Sequence, residues 1–388
     1  DWDNFSWPRH DLDFSLFRVY ENGKPYHPAH HLAWSREGVA YGGMTFTVGH
    51  PGRTSRLETL AQMEAKRDVA DPLLIRTLDR TRKALHAFAA KGEEQARQVS
   101  SEIMGIENAY KVYSGELTGL RDAEAMARVA AAEKELRARV DADSKLKALA
   151  GESWTKIEQA LVEQRAQSKD ELAGRSLGQL KALAKEPFTA KSDCMLRASL
   201  QNLREELGAA HPLVKALDGE PDGAKLLERI TKGLPAEVTD ALEKARARAK
   251  TTQALLSEHL ARIAKARFAV YGTSTYPDAT FTLRLSFGAV ETYPSAGTLA
   301  QPFTTFAGMY DRAAAWGPKA EDGSWEVPAR WQQRQGKLDL FTPYDFITTN
   351  DIIGGNSGSP VVNRKGELVG LAFDGNIESN AGRYYYDG

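Results

Sequence analysis

Ser357 lies in Gly355-Asn356-Ser357-Gly358-Ser359-Pro360, a glycine-rich stretch between two apolar runs near the C-terminal end of the chain. Glycine lets a backbone reverse sharply and lets successive N–H groups converge on one point. A hydroxyl presented there can attack an acyl carbon, and the converging N–H groups can hold the oxyanion that develops. Gly, Asn and Ser are also the ordinary composition of hairpin turns, so the flanking elements decide the reading. Residues 345–349 read as a strand leading in. Pro360, Val361 and Val362 read as a strand leading out, followed by a turn at 363–366 and a strand at 367–373.

A serine nucleophile needs a base, and the candidates are the eight histidines, His10, His27, His30, His31, His50, His86, His211 and His259. The His30-His31 pair has no acidic or cysteine set at useful spacing, so no metal site and no cofactor are expected. Cys194 is the single cysteine, which excludes an internal disulfide. In its helical pattern it reads as a small core residue.

The elements that must position these groups fall into three textures. From 1 to 56 the chain reads as strand and loop, with residues 14–20 as a first strand. Ser55 with Glu58 has the spacing of a helix capping box. From 57 to 267 the chain is rich in Ala, Glu, Lys, Arg and Leu. Leu196, Leu200, Leu203 and Leu207 form an apolar stripe, as do Leu256, Leu260 and Ile263. Gly208, Pro212, Gly219, Pro221, Gly233 and Pro235 mark breaks between helices. From 268 to 388 strand texture returns. Phe281, Leu283, Leu285 and Phe287 alternate with Thr282, Arg284 and Ser286, the period of a strand with one buried face. The economical description is an α+β chain in which a β scaffold is interrupted by a large helical insert. Lys plus Arg number 51 against 52 Asp plus Glu, so neither a nucleic-acid nor an acidic-membrane partner is implied. No stretch approaches the roughly 20 apolar residues of a bilayer span. No charged-then-apolar leader is visible, and both ends read as cuts.

The residues at 4–20, N-F-S-W-P-R-H-D-L-D-F-S-L-F-R-V-Y, resemble the N-W-x-W-P-R-H-x-x-D-F-S-x-x-R-x-Y block of the bacterial dipeptidyl-peptidases. Residues 271–286, 349–362 and 368–376 are similar to three further blocks of that family. The resemblance implies an incomplete chymotrypsin-like double β-barrel carrying an inserted all-α domain. It also implies roles for single residues. Ser357 matches the nucleophile, with Gly355 and Ser357 giving N–H groups to the oxyanion. Asp13 matches the triad carboxylate that orients the histidine, whereas Asp11 lies outside the matching position.

Removing dipeptides requires measuring two residues from a free N-terminus, which takes oxygen acceptors for an α-ammonium. The resemblance assigns this anchor to Asn4, Phe5, Asn108 and Asp374. Phe5 departs from the family's Trp and loses its indole N–H. Gly375 stands where relatives that cleave after Asp or Glu carry Arg. An open, uncharged pocket and an apolar residue before the scissile bond are therefore expected, as in the dipeptidyl-peptidase 7 type rather than the acidic-specific type.

In the family the catalytic histidine precedes the aspartate at Asp13, so the base is expected upstream of residue 1. Loss of a triad base costs on the order of 10⁶ in turnover, so the chain alone is expected to be nearly inactive. The expected partners are oligopeptides with a free N-terminus, and the family implies a periplasmic or cell-surface location. The oligomeric state is open, a homodimer included. Two alternatives stand beside the enzyme: a non-catalytic peptide-binding module or pseudo-enzyme, and a helical scaffold built on the Ala/Lys/Glu-rich middle.

Overall fold

The computed structural model describes residues 4–12, 14–317 and 325–386. The chain divides into two compact units, one of residues 1–55 with 278–388 and one of residues 56–277.

The helical unit holds ten α-helices among its described residues. They are α1 Leu60–Ala65, α2 Asp71–Ala89, α3 Glu93–Leu120, α4 Ala123–Ala142 and α5 Ser144–Ala150, then α6 Ser153–Leu183, α7 Ala190–Leu207, α8 Pro212–Leu217, α9 Gly223–Lys232 and α10 Ala236–Tyr271. The leucine stripe on α7 is buried at all four positions and joins α6, α8 and α9 in one apolar cluster. A second cluster joins Leu136, Trp154, Ile157, Leu256 and Ile263, from α4, α6 and α10. Each such side chain contributes roughly 1.5–3 kcal/mol by leaving water. Gly208 and Gly233 cap α7 and α9 at φ of +85° and +122°, and Pro212 opens α8. Cys194 is half-buried, and burial pushes its thiol pKa up.

Two helix expectations need correction. The capping box is formed by Thr59 and Gln62, not by Ser55 and Glu58. The Ser55 N–H instead donates to the Arg383 carbonyl, and Glu58 pairs with Lys66. Helix α10 continues to Tyr271, past the expected return of strand texture at 268, because Ala266 and Val270 still have the second cluster to pack against.

The other unit contains β1 Tyr20–Glu21 and β2 Lys24–Pro25, a short hairpin, and β3 Met44–Gly49. After the helical unit come β4 Arg284–Ala289, β5 Tyr293–Ser295, β6 Thr298–Ala300 and β7 Phe303–Thr305. They are followed by α11 Phe306–Trp316, α12 Ala329–Gln332, β8 Pro343–Phe346, β9 Ser359–Val362 and β10 Leu368–Ala372. Four strands form one antiparallel sheet in the order β10-β9-β3-β4, while β5-β6 and β7-β8 pair separately. Among the described residues no sheet closes into a barrel, because closure needs the edges at β10 and β4 to be joined by further strands.

The expected strand at 14–20 forms no ladder before Tyr20, although the Val19 carbonyl accepts the Tyr26 N–H at 2.8 Å. Phe14, Leu16, Phe17 and Val19 are exposed, and a strand persists only where its backbone finds a partner. The strand leading into the Ser357 stretch is β8, which ends at Phe346 rather than Thr349. The alternating pattern at 281–287 does produce β4, but with the opposite sense of burial. Phe281, Leu283, Leu285 and Phe287 are about two-thirds exposed, at 64%, 64%, 63% and 66%. Thr45 and Thr47 of neighbouring β3 are buried.

That polar inner face has a use. Thr45 Oγ1 donates to Asn350 Oδ1 at 2.7 Å, and Asn350 Nδ2 donates to the carbonyls of Thr45 and Ser286 at 3.4 and 3.3 Å. Buried Asn350 thus ties β3 and β4 to the segment that precedes the Ser357 turn.

Candidate active site

The turn carrying Ser357 is held by close backbone approach. Gly355 has φ of +109°, and a Cβ there would lie 2.5 Å from the His50 carbonyl oxygen and 2.8 Å from the Gly52 nitrogen. No other residue fits that position without strain. The Gly52 N–H donates to the Gly354 carbonyl at 2.8 Å, tying the segment after β3 to the Ser357 turn. Buried Asn356 accepts the Ile353 N–H at 3.1 Å through Oδ1, which keeps the turn rigid.

Ser357 itself is exposed, and its hydroxyl donates to the Phe373 carbonyl at 3.3 Å. Among the described residues, neither the Gly355 nor the Ser357 N–H has a hydrogen-bond acceptor. Two backbone donors without acceptors beside an exposed hydroxyl can receive a developing negative charge.

No histidine hydrogen-bonds the Ser357 hydroxyl among the described residues. His10 is half-buried against Tyr344, and desolvation lowers its pKa. His86 pairs with Glu107, His259 with Ser153, and His211 Nδ1 accepts the Leu213 N–H at the start of α8. His50 stacks on Phe281 with ring centroids 6.4 Å apart. His27, His30 and His31 are exposed. Among the described residues no cluster of His, Cys, Asp or Glu could hold a metal ion. Asp13, the expected triad carboxylate, lies outside the described residues.

Two of the residues expected to meet the amine, Phe5 and Asp374, are in contact. Asp374 Oδ2 accepts the Phe5 N–H at 2.9 Å, and Oδ1 accepts the Gly375 N–H at 2.9 Å. Asn4 is the half-buried neighbour of Phe5. Asn108 lies on α3, in the helical unit. At Gly375 an added Cβ would lie 2.6 Å from Ser379 Oγ, which donates to the Asn376 carbonyl at 2.7 Å. Ser379 is therefore a wall of any pocket at Gly375.

Three residues around Asp374 were not assigned a role from sequence. Arg9 is 3% exposed and donates from Nη1 to Asp374 Oδ2 at 2.8 Å and from Nη2 to Asp11 Oδ2 at 3.1 Å. Asp345, 6% exposed, accepts the Asp11 N–H at 3.2 Å. Burial pushes the Asp345 carboxyl up to about 7, against the lowering effects of the Asp11 N–H and Arg9. Arg9 stands inside the W-P-R-H block, but its spacing carries no sign that it folds onto a residue beyond the nucleophile.

Part of the chain resembles dipeptidyl-peptidase 7 of Capnocytophaga gingivalis, at 41% identity over 124 residues, 29% of this chain and 17% of that protein. The Asp/Glu-specific dipeptidyl-peptidase of Flavobacterium psychrophilum is 32% identical over 157 residues, 37% of this chain and 22% of that protein. These matches thus span less than a quarter of either relative's length. The crystal structure of Porphyromonas endodontalis DPP11 with the dipeptide Arg-Glu superposes with a TM-score of 0.77 at 18% identity. That likeness covers 99% of this chain and 67% of that one. It extends through both units, so the helical unit interrupting the β unit is part of a shared fold. The family model described as Peptidase S46 matches residues 1–183 and 229–388, and this chain belongs to that family.

Proposed function

We propose that this chain carries the nucleophile and substrate-binding residues of a serine-type dipeptidyl-peptidase, acting on oligopeptides with a free N-terminus. The observation that carries the reading is the Ser357 turn, with an exposed hydroxyl beside the acceptor-free N–H groups of Gly355 and Ser357. In this reading Ser357 attacks the carbonyl of the second residue, and the two N–H groups receive the oxyanion. Asp13 orients the base. Asn4, Phe5 and Asp374 meet the α-ammonium. Gly375, backed by the Ser379 hydroxyl and offering no cation, favours an uncharged, apolar residue before the scissile bond. The matched relatives include both dipeptidyl-peptidase 7 and Asp/Glu-specific enzymes, so this preference rests on Gly375.

A second reading is favoured by one observation. No histidine hydrogen-bonds Ser357 among the described residues, so the chain by itself binds such peptides and cleaves them very slowly.

Both readings are tested by titrating the chain calorimetrically with Gly-Phe-Ala and with its N-acetyl form. The free-amine peptide is expected to bind about tenfold tighter or more, the value of one charge-assisted contact, and Asp374→Asn is expected to remove the difference. Equal binding of the two peptides by the unaltered chain overturns the amine anchor. Ordinary turnover of an unblocked dipeptidyl reporter by the chain, lost in Ser357→Ala, overturns the slow-cleavage reading.

A further inference from the structure

We propose that Arg9 is a positioning residue for the amine anchor, holding the Asp374 carboxylate in one orientation while Asp11 offsets its charge. The inference rests on the reading of Asp374 as the acceptor for the substrate's α-ammonium.

Arg9 grips the loop after β10 at two points. Its Nη1 bonds Asp374 Oδ2 at 2.8 Å, and its guanidinium lies over the ring of the preceding Phe373, 5.5 Å from the centroid. The Phe373 carbonyl is also the acceptor for the Ser357 hydroxyl. One buried cation thus fixes the carboxylate of the anchor and the residue that touches the nucleophile. With the Phe5 and Gly375 N–H groups, Asp374 accepts three hydrogen bonds, and its remaining acceptor capacity is on Oδ1, which carries one of the three.

Charge decides why Asp11 belongs to the device. An arginine paired with a single aspartate is neutral, and an incoming ammonium would gain little from it. Asp11 Oδ2 takes the Nη2 side of the same guanidinium at 3.1 Å, and Asp345 fixes Asp11 by accepting its N–H at 3.2 Å. Asp374 and Asp11 bond the same guanidinium, so its single positive charge does not cancel both carboxylates, and Asp374 keeps an attraction for an α-ammonium. Only the planar fork of arginine can bond two carboxylates this way; lysine offers a single point charge.

The experiment compares the affinity ratio of Gly-Phe-Ala to N-acetyl-Gly-Phe-Ala across variants of the whole chain, each shown folded by near-ultraviolet circular dichroism. Arg9→Gln is expected to cut the ratio about tenfold and Arg9→Lys by less, since one contact survives. Asp11→Asn, at a 42%-exposed side chain, is expected to cut it about threefold. Should Arg9→Gln fail to fold, Arg9→Lys and Asp11→Asn decide. Affinities that fall equally for both peptides mark Arg9 as merely structural and overturn the inference. So does an unchanged ratio in Arg9→Lys and Asp11→Asn while Asp374→Asn abolishes it, and in that case the anchor reading survives. If the unaltered chain does not distinguish the peptides, the anchor reading has failed and the inference falls with it.

Discussion

Asp374 holds Phe5 in a conformation that a phenylalanine rarely takes. The Phe5 N–H donates to Asp374 Oδ2 at 2.9 Å while Phe5 sits at φ of +59°. A left-handed backbone costs an L-residue roughly 1–2 kcal/mol, so the contact works against local preference. Residues 369 positions apart in the chain are thereby joined at the point where a substrate's N-terminus is proposed to bind.

The same carboxylate is one end of an ion pair with Arg9, whose side chains are 4% and 15% exposed. Asp374→Asn removes the charge at the more buried of two carboxylates that bond Arg9, the other being the 42%-exposed Asp11. Breaking a buried pair on one side costs about 3 kcal/mol. Urea unfolding is expected to show a lower midpoint with an unchanged slope, and an unchanged midpoint would deny the pair its structural weight.

Asp345 makes stability fall as pH rises. Its carboxyl ordinarily titrates at 3.8 and burial pushes it to about 7 in the folded chain. The folded state therefore holds a proton that the unfolded state has released between about pH 4 and 7, and stability declines across that window. The rise corresponds to a cost on the order of 4 kcal/mol, complete above pH 7. Asp345→Asn is expected to flatten this slope, gaining stability at pH 8 relative to the parent and little at pH 4. Parallel pH profiles of melting temperature would contradict it.

Gly375→Arg is expected to move peptide preference towards an acidic second residue. The new Cβ starts 2.6 Å from Ser379 Oγ, a rotatable hydroxyl, so the paired change Gly375→Arg with Ser379→Ala should accept the arginine with less strain. Binding of Gly-Glu-Ala relative to Gly-Phe-Ala should rise about tenfold or more in the pair. A folded double variant that keeps its apolar preference would remove Gly375 from the pocket.

The outward apolar face of β4 predicts a solubility effect. Leu285 and Phe287 are more than 60% exposed, so replacing both by threonine removes little burial and keeps strand propensity. Each change is expected to alter stability by about 0.5 kcal/mol or less, while light scattering at high protein concentration falls. A large loss of stability would mean that the face is covered in solution.

Much of this molecule was legible because local pattern and tertiary context agreed. The stripe at Leu196, Leu200, Leu203 and Leu207 became the inner face of α7, and the turn at 363–366 became the β9-β10 connection. The run at 281–287 showed its period but not its direction. Period two says that faces alternate, and only the partners, here Thr45, Thr47 and Asn350, decide which face turns inward. The turn around Ser357 was legible because its glycines are contiguous in the chain. Arg9, Asp11 and Asp345 escaped because their roles arise from a contact between the first and last parts of the β unit, and no local spacing encodes it.

The most direct test of the proposed site is boron NMR of a dipeptidyl boronic acid, free-amine Val-Ala-boronate, mixed with the chain. A boronate becomes tetrahedral when a serine oxygen adds to it, mimicking the oxyanion that the Gly355 and Ser357 N–H groups are placed to hold. The expected result is a tetrahedral signal with the free-amine compound, weak or absent with its N-acetyl form and absent in Ser357→Ala. A tetrahedral signal of equal strength in Ser357→Ala, or none with the unaltered chain, would contradict the assignment of Ser357 as the nucleophile.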